Sequence, residues 1–164
     1  MILLTVGTQF PFDRMVRAVD DWADQEGRRD IVAQIGPAEY TPRNLSFSEF
    51  YSPRELRDLQ EQSSVIVAHA GMGSILTALE LGKPIIIMPR DHERGEHRNG
   101  HQLATARRFE HVEGVHVAND EVELVTQLRR LDDLIGSVSM TPVSTVAPDS
   151  FINALRSHLA SAFA

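Results

Sequence analysis

Near the middle of the chain, His69-Ala70-Gly71-Met72-Gly73-Ser74 gathers residue types that suit anion chemistry. Glycines remove the Cβ atoms that hold a backbone away from a ligand. Ser74 falls where a helix is expected to begin, so its hydroxyl and the free amides of the first turn would face outward as donors to a phosphate. Glycines after a strand are also what any α/β domain needs in order to turn. His69 and Ser74 beside them are what favour a ligand.

A second polar stretch, RDHERGEHRNGHQ at residues 90–102, is rich in arginine, histidine and glutamate. Three uses compete: a solvated charged loop, a metal site, or a surface for an anion or sugar. His97 and His101 stand four apart but enclose Gly100, and His92-Glu93 with Glu96-His97 misses the zinc-protease spacing by one residue, so no metal is assigned. The stretch follows a strand at its carboxyl end, where a phosphorylated ligand would lie. Arg90, Arg94 and Arg98 are candidates to face its charge, against the ordinary alternative of solvated arginines.

The elements that must position these residues are legible. Val65, Ile66 and Val67 form one β-branched run and Ile85, Ile86 and Ile87 another, as parallel strands buried on both faces require. The helix between them ends at Gly82, suited to a left-handed cap, and Pro84 stops its continuation. Upstream, residues 2–6 read as a strand broken by Gly7-Thr8-Gln9. A helix over residues 13–23 follows, with Met15, Val16, Val19 and Trp22 on its core face. Thr8 either caps that helix or lines a site at the strand's carboxyl end. Residues 31–35 give a second strand and 45–47 a short third one. Ser52-Pro53-Arg54-Glu55 is a capping box opening a helix to about residue 62. A helix over 99–109, a strand over 115–118 and a helix over 120–130 capped by Asn119 complete the alternation. The fold class expected is α/β: a doubly wound parallel sheet of about six strands.

Residues 1–136 are expected to form the binding domain and 137–148, rich in Ser, Thr, Val and Pro, a linker. Residues 149–164 read as an amphipathic helix with Phe151, Ile152, Leu155, Leu159 and Phe163 on one stripe. Packing on the same domain is the ordinary fate of such a stripe; a partner-docking surface is the alternative. The 164 residues contain no cysteine and carry a formal net charge of -7. That suits a reducing cytoplasm and argues against a broad nucleic-acid surface. No apolar run approaches the ~20 residues of a membrane span, so a soluble chain, or one held at a membrane through a partner, is expected.

The stretch HAGMGSILTALELGKPIIIMPR, followed by HQLATA and preceded by VGTQFPFD, resembles the donor-binding half of glycosyltransferase family 28 over residues 1–131. It is similar in particular to the small cytosolic catalytic subunits of bipartite UDP-sugar transferases: the dolichol-linked N-acetylglucosaminyltransferase subunit and bacterial exopolysaccharide counterparts. The resemblance implies a Rossmann-like C-terminal half of a GT-B fold that binds a UDP-sugar as donor substrate, with no cofactor and no metal. It implies Thr8, His69, Gly73 and Ser74 for the pyrophosphate, His101 and Gln102 for the sugar, and Phe50 and Tyr51 for uracil, the last two against a plain reading as core aromatics. Many members place a glutamate eight residues after the histidine to hold the ribose. Here that position is Thr77, and Glu80, three residues on, is the residue favoured for ribose. A membrane-anchored subunit would supply the acceptor site and the general base, leaving this chain cytoplasmic at the inner face and weakly active alone. The alternative is a non-catalytic nucleotide-sugar binding regulatory module. A dinucleotide-binding Rossmann protein is disfavoured because Gly7-Thr8-Gln9-Phe10-Pro11 lacks the Gly-x-Gly-x-x-Gly turn.

Overall fold

The computed structural model of the chain describes residues 1–136 and 141–162. Six strands, β1 (Ile2–Thr5), β2 (Ile31–Gln34), β3 (Ser46–Ser48), β4 (Val65–His69), β5 (Ile85–Met88) and β6 (Val115–Val117), form one sheet in the order β3-β2-β1-β4-β5-β6. Every neighbouring pair is parallel. The strand order reverses between β1 and β4, which places the crevice of a doubly wound sheet at their carboxyl ends.

The apolar runs explain the layering. All four residues of β1 and of β5 are buried, as is β4 up to Ala68. Alternate side chains feed two cores. Ile2, Leu4, Val65, Val67, Ile86 and Met88 pack with α1 (Asp13–Gln25) and α5 (Glu121–Arg129) on one face. Ile66, Ala68, Ile85 and Ile87 pack with α3 (Met72–Glu80) and α4 (His101–Phe109) on the other. Each such side chain contributes about 1.5–3 kcal/mol of burial, enough to fix the register, because a one-residue slip would exchange the two cores.

Local signals set the helix ends. In α2 (Pro53–Gln62), Ser52 accepts from the Glu55 amide and Glu55 accepts from the Ser52 amide at 2.8 Å, so the expected capping box is formed. At the end of α3, Gly82 takes φ +62°, while Gly82 and Lys83 donate to the carbonyls of Leu79 and Ala78 in a Schellman motif.

Some boundaries differ from expectation. α3 begins at Met72 with Gly71 as its cap, two residues before Ser74, because Gly71 already leaves the strand in an extended conformation. α4 begins at His101 rather than residue 99. Asp120, not Asn119, caps α5, since its carboxylate accepts the Glu123 amide while Glu123 holds Asn119 in return. A short helix, α6 (Leu131–Gly136), follows unannounced by periodicity.

Of the expected linker, residues 137–140 lie outside the described residues, as does Phe163 of the expected stripe. Val143 donates to the Leu79 carbonyl at 3.0 Å, tying the incoming segment to the end of α3. In α7 (Asp149–Ala162), Phe151, Leu155 and Leu159 are 61%, 49% and 47% exposed, so packing on the chain's own core, the ordinary fate of such a stripe, is not made. Among the described residues no helix is long and apolar enough to cross a membrane.

Candidate functional site

At the strand-order reversal lies a cleft of about 350 Å³. The β1–α1 turn contributes Gly7, Thr8, Gln9 and Phe10, and the β4–α3 turn contributes His69, Ala70, Gly71 and Met72. Arg90, His97, His101, Gln102 and Thr105 close the third side. Among the described residues no carboxylate lines it, in a chain whose net charge is -7.

His69 sits between the two turns. A Cβ on Gly71 would lie 2.3 Å from its Nε2, and one on Gly7 2.9 Å from its Cε1, so both glycines are demanded by the imidazole itself. Nδ1 faces the Thr5 carbonyl at 3.5 Å. Burial first, then the nearby Arg90 cation, pushes the His69 pKa down to about 4, so the ring is neutral at pH 7. Gly73 is different: a Cβ there would meet nothing within 4 Å, and its φ is not positive.

α3 opens without a side-chain cap. Ile75 is the first residue to donate back, to Gly71, so the amides of Met72, Gly73 and Ser74 have no partner among the described residues. Three free N–H groups at the positive end of a helix dipole make this turn receptive to an anion.

Arg90 is not free to receive one directly. Its guanidinium donates to the carbonyls of Val6, Phe10 and Pro11 and lies 4.6 Å over the Phe12 ring. Arg94 faces Asp91 and Glu121, and Arg98 stacks over Phe10 at 5.7 Å. Glu96, weighed for metal, is bound to Arg14 at 2.6 Å and to the Asp91 amide.

The cleft therefore brings together Thr8, His69, His101 and Gln102. Thr8 and His101 are exposed, whereas Gln102 is buried, its Oε1 accepting from the Arg90 amide at 3.1 Å. Gly73 and Ser74 stand beside the cleft on the first turn of α3. Thr77 and Glu80 lie farther along that helix, and Glu80 faces Arg57 of α2 at 4.0 Å. Phe50 and Tyr51 are outside the cleft, past the end of β3, with Phe50 48% exposed. The Tyr51 amide donates to Gln34 Oε1, and Gln34 Nε2 donates to Thr5 Oγ1 at 3.3 Å. Sequence reasoning missed Gln34 and Phe10, while His97, weighed there for a metal, lines the cleft. For Gln34 the signal available was a polar residue ending an apolar strand.

An all-parallel sheet in this order, with an uncapped helix at its switch point, places the chain in the α/β class of the C-terminal half of GT-B glycosyltransferases. The calicheamicin glycosyltransferase CalG4 shares the fold with a TM-score of 0.62 at 14% identity, over 98% of this chain and 43% of that one. The NMR solution structure of ALG13 gives 0.58 at 20% identity, over 94% and 93%. The model of the glycosyltransferase family 28 C-terminal domain matches residues 1–135, and the chain belongs to that family. Among curated relatives, the UDP-N-acetylglucosamine transferase subunit ALG13 of Homo sapiens is 29% identical over 124 residues, 69% of this chain. That of Mus musculus is 31% identical over 122 residues, 68% of this chain. The chain spans 10% of the length of these relatives.

Proposed function

We propose that the chain is the donor-binding catalytic subunit of a two-subunit glycosyltransferase, moving a sugar from a UDP-sugar to a lipid-linked acceptor in polysaccharide or glycolipid assembly. The observation that carries this reading is the uncapped first turn of α3, opening beside a cleft that, among the described residues, no carboxylate lines. The UDP-sugar class and the word "subunit" come from the names of the relatives.

In this reading the pyrophosphate rests on the amides of Met72, Gly73 and Ser74, with the Thr8 hydroxyl opposite and His69 as a neutral wall. Negative charge grows on the β-phosphate as the glycosidic bond breaks, and preset amides stabilise it without reorganising. His101 and the Gln102 amide nitrogen address the sugar hydroxyls. Glu80, or Thr77 one turn nearer the cleft, takes the ribose, and Phe50 with Tyr51 takes the uracil. The general base and the acceptor site belong to a membrane-anchored partner, which holds this chain at the cytoplasmic face. The exposed stripe of α7 is the docking element for that partner.

Calorimetric titration of the purified chain with UDP, with GDP and NAD as controls, tests the donor site. Selective UDP binding supports it; equal affinity for all three would remove it.

A further inference from the structure

Arg90 is 2% exposed and directly follows the Met88-Pro89 end of β5. Its guanidinium reaches back under the β1–α1 turn. Nη2 donates to the carbonyls of Val6 at 2.6 Å and Phe10 at 2.7 Å; Nη1 donates to those of Pro11 and, at 3.4 Å, Glu96. The two ends of the turn are thus stapled to one planar group. Gly7, Thr8 and Gln9 are left between them, facing the cleft.

The charge is as unusual as the geometry. Among the described residues no carboxylate makes a salt bridge with Arg90. Glu96, the nearest candidate, spends its oxygens on Arg14 and on the Asp91 amide. A buried cation met by carbonyl dipoles and the face of the Phe12 ring, with no carboxylate in contact, is costly unless something else answers it. Burial pushes its pKa down to about 10, which still leaves it charged at neutral pH.

We infer that Arg90 is a positioning residue: it staples the β1–α1 turn shut and supplies a fixed positive charge beneath the cleft, preforming the turn for the diphosphate of the nucleotide. The inference rests on the donor-site reading. It assigns Arg90 no contact with the ligand. A lysine cannot replace it, because one ammonium is a single point, whereas the four carbonyls are shared between two nitrogens of a rigid fork.

Three measurements on the full chain test this. Hydrogen exchange of wild type and Arg90→Lys should show faster exchange in the variant at the hydrogen-bonded amides that bound the turn, Val6, Gly7, Met15 and Val16, with β4 and β5 unchanged. Affinities for UDP and for uridine should separate: Arg90→Lys and Arg90→Met are expected to lose roughly tenfold or more for UDP while uridine changes little. Unchanged exchange at the amides bounding the turn, or equal losses for both ligands, would overturn the inference. Should neither variant fold, the wild-type guanidinium resonances decide. Separate, slowly exchanging Nη protons on Arg90 are expected; averaged signals would reject the staple. If wild type does not bind UDP, the donor reading fails, while the staple is still judged by exchange and by those resonances.

Discussion

Gly73 is the glycine beside the cleft for which the chain itself supplies no reason: its φ is ordinary and a Cβ would meet nothing. An alanine there should stabilise the fold by about 0.5–1 kcal/mol. If the empty space belongs to a diphosphate, Gly73→Ala should nonetheless weaken UDP binding, a combination that thermal melts and calorimetry together would reveal. Gly71 should behave oppositely, since its Cβ would strike His69. The sequence presents the two glycines as one motif, and only the imidazole's position separates a steric need from a ligand's. His69 also carries a pH signature. Its folded pKa, about 4, lies below the usual 6.5. Above pH 6.5 both folded and unfolded chains hold it neutral, and nothing changes. Below that the unfolded chain takes up a proton that the fold refuses, so stability falls as pH drops toward 4, by roughly 3 kcal/mol in all. His116, lowered by burial, adds in the same sense. Denaturant melts between pH 7 and 4 should show the slope, and a His69→Gln variant should flatten part of it.

Among the elements, strands and their helices were legible because burial on both faces demands unbroken β-branched runs, and because Ser52, Pro53 and Gly82 each have one favourable use at a helix end. What escaped was set by competition between neighbours. Asn119 and Asp120 both suit a cap, and the carboxylate that reaches Glu123 decides. α7 was legible as an amphipathic helix, but its periodicity cannot say what its stripe faces. With Phe151, Leu155 and Leu159 exposed, removal of residues 149–164 should leave UDP affinity and the melting temperature nearly unchanged. If α7 is the docking element proposed above, it should also abolish co-purification with the proposed membrane-anchored subunit. Retained association would reassign docking to another face.

For the whole molecule, the parallel α/β class and a cleft at the strands' carboxyl ends were within reach of the sequence. The order β3-β2-β1-β4-β5-β6 was not, because right-handed crossovers allow several doubly wound orders. Nor were the cleft's electrostatics. A net charge of -7 hides a cleft that no carboxylate lines among the described residues, because the acidic side chains around it are occupied: Glu96 and Glu121 hold Arg14, and Asp91 faces Arg94. The hydrogen-bonded thread from Tyr51 through Gln34 to Thr5 and on to the Gly7 amide has a further effect. It locks the exit of β3 to the exit of β1 and makes the sheet a ruler. Three strand spacings, about 14 Å, separate the ends of β3 and β4. A nucleotide with its base past β3 and its last phosphate on α3 must reach across them. UMP, one phosphate short, then grips one end only, and its affinity should fall well below that of UDP in the same titration. Equal affinities would mean that the length of the ligand is not being measured.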